Sequence, residues 1–174
     1  MTDRENSPKF SESARPRWQR IVGKLAATSL VGWFLRPNLN RLDRLVLRIS
    51  RGRHTAATLL TGLPVIWLKT TGAHSGQERL TPVAGIYDGE NYVLIASYLG
   101  SSRHPGWYYN IKSNPRLSIS ENGRTAEFTA RELSGDERER CWNLAVQSYS
   151  GFEKYERRAR SRRIPVIMCS PVGE

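Results

Sequence analysis

The chain of 174 residues has only two cysteines and three histidines. Cys141 and Cys169 show neither the dense, even spacing of a disulfide scaffold nor a C-x-x-C pair, so a reducing compartment and a cytoplasmic protein are expected. His54, His74 and His104 have no i,i+4 pairing, no H-E-x-x-H and no matching carboxylate spacing, so no metal site is expected. G-x-S-x-G, the P-loop and G-x-G-x-x-G are all missing, which weakens hydrolase, phosphoryl-transfer and Rossmann readings. The apolar stretch Leu25–Leu35 is too short to span a bilayer. It also begins too late, and lacks a small-residue cleavage site, for a signal peptide. Neither export nor a transmembrane helix is expected.

Acidic side chains are also scarce, 16 against 27 Lys and Arg, for a formal charge of +11. The length suits one domain, and 39% apolar content is ordinary for a globular core. The charge is uneven: residues 1–60 hold 12 basic and 4 acidic side chains, the remainder 15 and 12. Residues 1–15 are polar and aperiodic, as in a mobile tail. Residues 16–60 read as amphipathic helices. Trp18, Ile21, Val22, Leu25, Leu30, Trp33 and Phe34 recur at helical spacing until Pro37; Leu39, Leu42, Leu45, Val46 and Ile49 follow, with Arg41, Arg44, Arg48 and Arg51 mostly off that side. Such helices either cover a core or lie on an anionic membrane surface through residues 16–51. The later cluster from Arg157 to Arg163 has no accompanying nucleic-acid recognition motif, so a solvated helix face or a basic rim is expected there.

From Pro64 the pattern turns to β-branched and aromatic runs, making residues 61–174 a strand-rich domain. Six strands are expected: Val65–Thr70, Leu80–Tyr87, Tyr92–Ser97, Leu117–Glu121, Arg124–Arg131 and Ile164–Cys169. Asp88-Gly89 and Asn122-Gly123 are hairpin turns, because glycine tolerates positive φ. A short helix is expected between His104-Pro105 and Asn114-Pro115. Ser134-Gly135-Asp136-Glu137 reads as a capping box before a helix from Gly135 to Tyr149, continued or broken near Gly151. Antiparallel hairpins favour a small closed or split β-barrel with flanking helices, mainly β (α+β), over a doubly wound sheet.

Between the first two strands, Lys69 to Arg79 concentrates hydroxyls, glycines and basic groups. Converging backbone N–H groups with Arg79 suit an anion, and an exposed turn suits the same residues equally. Resemblance separates the two. Thr70-Thr71-Gly72-x-x-Ser75-Gly76-Gln77-x-Arg79-x-x-Pro82, Ala96-Ser97 and His104-Pro105-x-Trp107-Tyr108-x-Asn110-x-x-x-Asn114-Pro115 closely resemble the deazaflavin-dependent nitroreductase family of actinobacteria, over about residues 64–171.

The resemblance implies a split β-barrel resembling FMN-binding proteins, which binds coenzyme F420, an 8-hydroxy-5-deazaflavin, and uses the reduced form as a hydride donor. The acceptor would be flat, hydrophobic and electron-poor: a quinone, enone or nitroaromatic. His74, Ser75, Gly76 and Arg79 map to the family's cradle for the anionic coenzyme tail, and Pro82, Ala96, Ser97, Trp107 and Asn110 to positions lining the ring and its side chain. Tyr149, Phe152 and Tyr155 fall where relatives place tyrosines over the substrate pocket, with Trp107 beside them and Tyr149 or Tyr155 as a proton source. Three departures stand out. Ala73-His74 replaces a basic pair, with a histidine only partly charged near neutrality. Tyr98-Leu99-Gly100 replaces a polar or basic residue followed by two glycines, and Leu99 is expected to crowd the backbone approach. Phe152 lacks a hydroxyl, so nitro reduction would be weaker than quinone reduction. Two rival readings remain at this level: a non-catalytic lipid, flavin or tetrapyrrole binder on the same fold, and an FMN-dependent reductase.

Overall fold

The computed structural model describes residues 63–159 and 162–173. The expected tail over 1–15 and amphipathic helices over 16–60 lie outside these residues. Seven antiparallel strands form one sheet in the order β2-β1-β5-β6-β7-β4-β3. They are β1 (Val65–Thr71), β2 (Glu78–Ala84), β3 (Ile86–Asp88), β4 (Asn91–Ile95), β5 (Arg116–Glu121), β6 (Arg124–Glu132) and β7 (Val166–Pro171). Helices α1 (Gly106–Ser113), α2 (Gly135–Ser148) and α3 (Gly151–Ala159) flank the sheet, which curls into a split half-barrel.

One expected strand is two. The run from Leu80 to Tyr87 divides at Gly85, where β2 leaves its pairing with β1 and β3 takes up pairing with β4. The backbone there runs so close to β1 that a Cβ on Gly85 would sit 3.0 Å from Ile66 Cγ2 and 3.2 Å from Tyr92 Cδ1. A glycine inside a strand pattern therefore marks a corner, and this corner joins the two ends of the sheet.

The central strands bury both faces. In β7, Val166 and Met168 enter one core with Trp142, Tyr149, Phe152 and Tyr155, whereas Ile167 and Cys169 enter a second with Trp107, Tyr108 and Ile111. β4 alternates the same way, Val93 and Ile95 against Leu94, which is why these strands read as unbroken apolar runs. α2 and α3 cover the first core; α1 covers the second.

Local signals fared unevenly. Asn122 and Gly123 have φ of 49° and 80°, as a two-residue hairpin turn requires. In the β3–β4 turn Asp88 pairs with Asn91, so Gly89-Glu90 forms the tip, one residue beyond the expected pair. The capping box does not form. Ser134 makes no side-chain cap bond, Gly135 sits at φ 56°, and Glu137 turns instead to Arg131 in a bidentate ion pair. Burial of Tyr149 and Phe152 then separates α2 from α3 at Tyr149, whose backbone is extended.

Candidate functional site

The loop after β1 is a small closed turn. Gly72 N–H donates to Gln77 O and Gly76 N–H to Gly72 O, both at 2.8 Å, with Gly76 at φ 65°. His74, Ser75, Gly76 and Arg79 are all exposed. Arg79 Nη2 reaches Ser75 Oγ at 3.5 Å and has no carboxylate partner among the described residues, because neighbouring Glu78 pairs with Lys69. The guanidinium, hydroxyl and loop N–H groups thus form a donor-rich, solvent-facing edge suited to an anion.

Asn110 on α1 fixes this loop. Its Oδ1 accepts from Ala73 N–H and its Nδ2 donates to Thr70 Oγ1, each at 3.0 Å; Asn114 donates similarly to Thr71 Oγ1. The observed contacts make Asn110 the bracket between helix and loop. Trp107, one turn earlier, is 9% exposed and packs in the second core with Ala96. Pro82 is half-buried on β2, opposite Trp67.

Ala96 and Ser97 continue from β4. Ser97 is 8% exposed, and its hydroxyl has no partner among the described residues, unlike buried Thr70 and Ser118, which bond to Asn110 and Glu127. A buried hydroxyl without a partner is unusual in a folded chain and suits a ligand carrying polar groups. Beyond it, Tyr98, Leu99 and Gly100 make a left-handed turn. Leu99 sits at φ 55° and packs against the first core. Gly100 abuts α3, where a Cβ would lie 2.7 Å from Tyr155 O.

Tyr149, Phe152 and Tyr155 are buried together, the Tyr149 and Tyr155 hydroxyls 3.2 Å apart and the Phe152 ring edge-on to both. Burial pushes both phenols above their ordinary pKa; the neighbouring Tyr155 adds to the shift at Tyr149, while the hydrogen bond and Arg158 moderate it at Tyr155. Both phenols are therefore protonated at neutral pH.

Two groups escaped sequence reasoning. Arg162, read as one of a solvated basic cluster, turns inward, although Arg157 and Arg163 are exposed. It bonds to the carbonyls of Ala96, Ser97 and Ser101 and to His104 Nδ1. Glu132 accepts from Tyr108 Oη at 2.9 Å and pairs with Lys112. Partners 20 to 66 residues away leave no local sequence signal. A cleft of about 320 Å³ is lined by Glu132, Ser134, Arg138 and Arg163. Arg138 is already satisfied there by Glu139, Glu156 and Ile164 O. Among the described residues no cluster of potential metal ligands occurs, and no helix is long and apolar enough to cross a membrane.

A curled antiparallel sheet with flanking helices, an exposed donor-rich loop and a buried serine hydroxyl without a partner among the described residues is a split-barrel arrangement. The sequence matches the F420H(2)-dependent quinone reductase family over residues 41–171, and the chain belongs to that family. An F420H(2)-dependent quinone reductase of Mycobacterium tuberculosis is 33% identical over 110 residues, which cover 62% of this chain and 73% of the relative. A solved F420-H2 dependent reductase (FDR-A) shares 38% identity at a TM-score of 0.57, over 62% of this chain and 94% of that one. A second solved chain, described as a domain-swapped dimer, is 33% identical with a TM-score of 0.58, over 75% and 98%. These likenesses support the deazaflavin reading over the lipid-binding and FMN alternatives.

Proposed function

We propose that the protein is an F420-dependent reductase that delivers hydride from the reduced deazaflavin to a quinone, with its cofactor seat built from the Gly72–Arg79 loop, Ala96-Ser97 and α1. When bound, the coenzyme supplies the hydride, and the chain supplies binding, orientation and exclusion of water. Arg79, Ser75 and His74 meet the anionic tail, and Gly76, at φ 65° with its N–H bonded to Gly72 O, closes the turn that presents them. The unpartnered Ser97 hydroxyl meets a polar group of the ring or its side chain, against walls made by Pro82, Ala96 and Trp107, while Asn110 holds the loop in place.

Tyr149 and Tyr155 orient the acceptor by donating hydrogen bonds to its oxygen. The proton that joins the hydride to complete hydroquinone formation comes from solvent or from one of these two hydroxyls. Phe152, in place of a third hydroxyl, favours quinones over nitroaromatics, which need more donors as negative charge develops on the nitro oxygens. The Arg-rich residues 16–51 meet an anionic membrane surface, where lipid-soluble quinones reside. Salt-sensitive co-sedimentation with anionic vesicles, lost when Arg41, Arg44, Arg48 and Arg51 become Gln, tests that part; salt-independent binding opposes it.

The family match, which spans every site residue named here from His74 to Tyr155, carries the reading. The test is competitive titration of the purified chain with F420 and FMN, followed by oxidation of the reduced deazaflavin with menadione. Tighter binding of FMN, or no acceleration of deazaflavin oxidation, overturns it.

A further inference from the structure

Tyr98, Leu99 and Gly100 have φ values of 45°, 55° and 74°. Two successive L-residues in this region crowd Cβ against the following carbonyl, and such backbone persists only where its surroundings fix it. Within the turn Gly100 N–H donates to Ser97 O at 2.9 Å and Ser101 N–H to Tyr98 O at 3.0 Å, while Leu99 packs against the first core. Tyr98 is 57% exposed, so its side chain does little to hold it.

Arg162 supplies the missing constraint. Its Nε donates to Ser101 O at 3.0 Å, Nη2 to Ser97 O at 2.8 Å, and Nη1 to both Ala96 O at 3.2 Å and His104 Nδ1 at 2.8 Å. Four of its five N–H directions are engaged within the protein, by neutral acceptors on both sides of the turn. Only a rigid planar fork can span these acceptors at once; a lysine ammonium cannot. Of these carbonyls, Ser97 O belongs to the residue whose hydroxyl has no partner among the described residues, and Ala96 O to the residue before it.

We propose that Arg162 is a positioning residue for the cofactor. Its guanidinium clamps the strained left-handed turn and so fixes the direction in which the Ser97 hydroxyl is presented. This inference rests on the cofactor seat proposed above. It does not require Arg162 to touch the coenzyme.

The experiment compares wild type, Arg162→Lys, Tyr98→Gly and the double variant. In the apo protein, amide hydrogen exchange at Gly100 and Ser101 is expected to quicken about tenfold in Arg162→Lys, and the Kd for F420 to rise about tenfold. KM for the reduced cofactor should rise while kcat and KM for menadione hold. Because glycine takes positive φ without strain, Tyr98→Gly should restore both exchange protection and affinity in the Arg162→Lys background. If Arg162→Lys does not fold, Arg162→Gln is compared in the same two backgrounds. Unchanged exchange and affinity overturn the proposal, as does a loss of affinity that Tyr98→Gly fails to lessen. Failure of wild type to bind F420 would instead defeat the cofactor reading, and the exchange measurements would still judge the clamp.

Discussion

Arg79 is the exposed cation of the anion loop, opposite Thr70 across the β1–β2 hairpin. Its replacement by Ala removes a charge-assisted donor without opening a core, so affinity for F420 should fall about tenfold or more while the melting temperature stays within about 2 °C. Deazaflavin fluorescence titration and a thermal melt check the two halves. His104 gives a pH-dependent counterpart. Burial lowers its pKa, the Arg162 charge lowers it further, and Glu132 opposes both weakly; Tyr108 and Tyr109 pack on its ring. Since the guanidinium has no acceptor, Nδ1 must receive the Arg162 hydrogen bond, which holds the imidazole neutral. The unfolded chain therefore binds this proton more readily than the folded one. Its contribution is complete above about pH 6.5 and is lost as pH falls through the lowered native value. Urea unfolding between pH 7.5 and 5 should show this slope, and His104→Asn, which keeps an acceptor near Nδ1, should flatten it. At this scale the sequence disclosed the loop donors because they lie within six residues of one another. Arg162 stayed hidden because its acceptors are backbone carbonyls 61 to 66 positions away, and any residue supplies a carbonyl.

Among the elements, Gly85 bears the greatest constraint. Ile66 is fully buried and cannot swing aside, so Gly85→Val forces overpacking at the corner and should destabilise the protein by about 1–3 kcal/mol, measured by urea denaturation. Strand positions were legible wherever alternation or an Asn-Gly turn marked them. The split at Gly85 was not, because the residues on either side continue one β-branched pattern and only the change of partner, from β1 to β4, breaks it. The capping box failed for a related reason: Glu137 found a stronger partner across the surface in Arg131, outside the four-residue window that defines the motif. Tyr149, at the end of α2, and Phe152 and Tyr155 on α3 are buried in the first core, with the two hydroxyls 3.2 Å apart.

At the scale of the whole molecule, the curl is tied shut by a contact that skips two strands. Glu121, at the end of β5, accepts from Tyr87 on β3 and, at 2.9 Å, from Tyr92 on β4. Burial first, and then the adjoining carboxylate, push both phenols up, Tyr92 to about 12 and Tyr87 further. Unfolded phenols ionise near pH 10, so the folded state binds more protons above that value and stability declines as pH rises from about 10 toward 12. An absorbance titration at alkaline pH should show delayed ionisation of these tyrosines, advanced to lower pH by Glu121→Gln. Charge divides at this scale too. Along the chain most of the excess falls within residues 1–60, whereas Arg162 lies among the strands and helices that follow, with its guanidinium bonded to backbone carbonyls.

The corner at Gly85 also bears on assembly. By making the terminal strands β2 and β3 chain neighbours, it leaves the half-barrel with a seam instead of two distant open edges, and β2 lies along it. Glu78 and Arg79 charge one end of that strand, and Pro82, near its middle, offers no N–H to a visiting strand. The residues proposed to grip a coenzyme therefore share one short stretch of chain with features that hinder pairing of this edge with another strand.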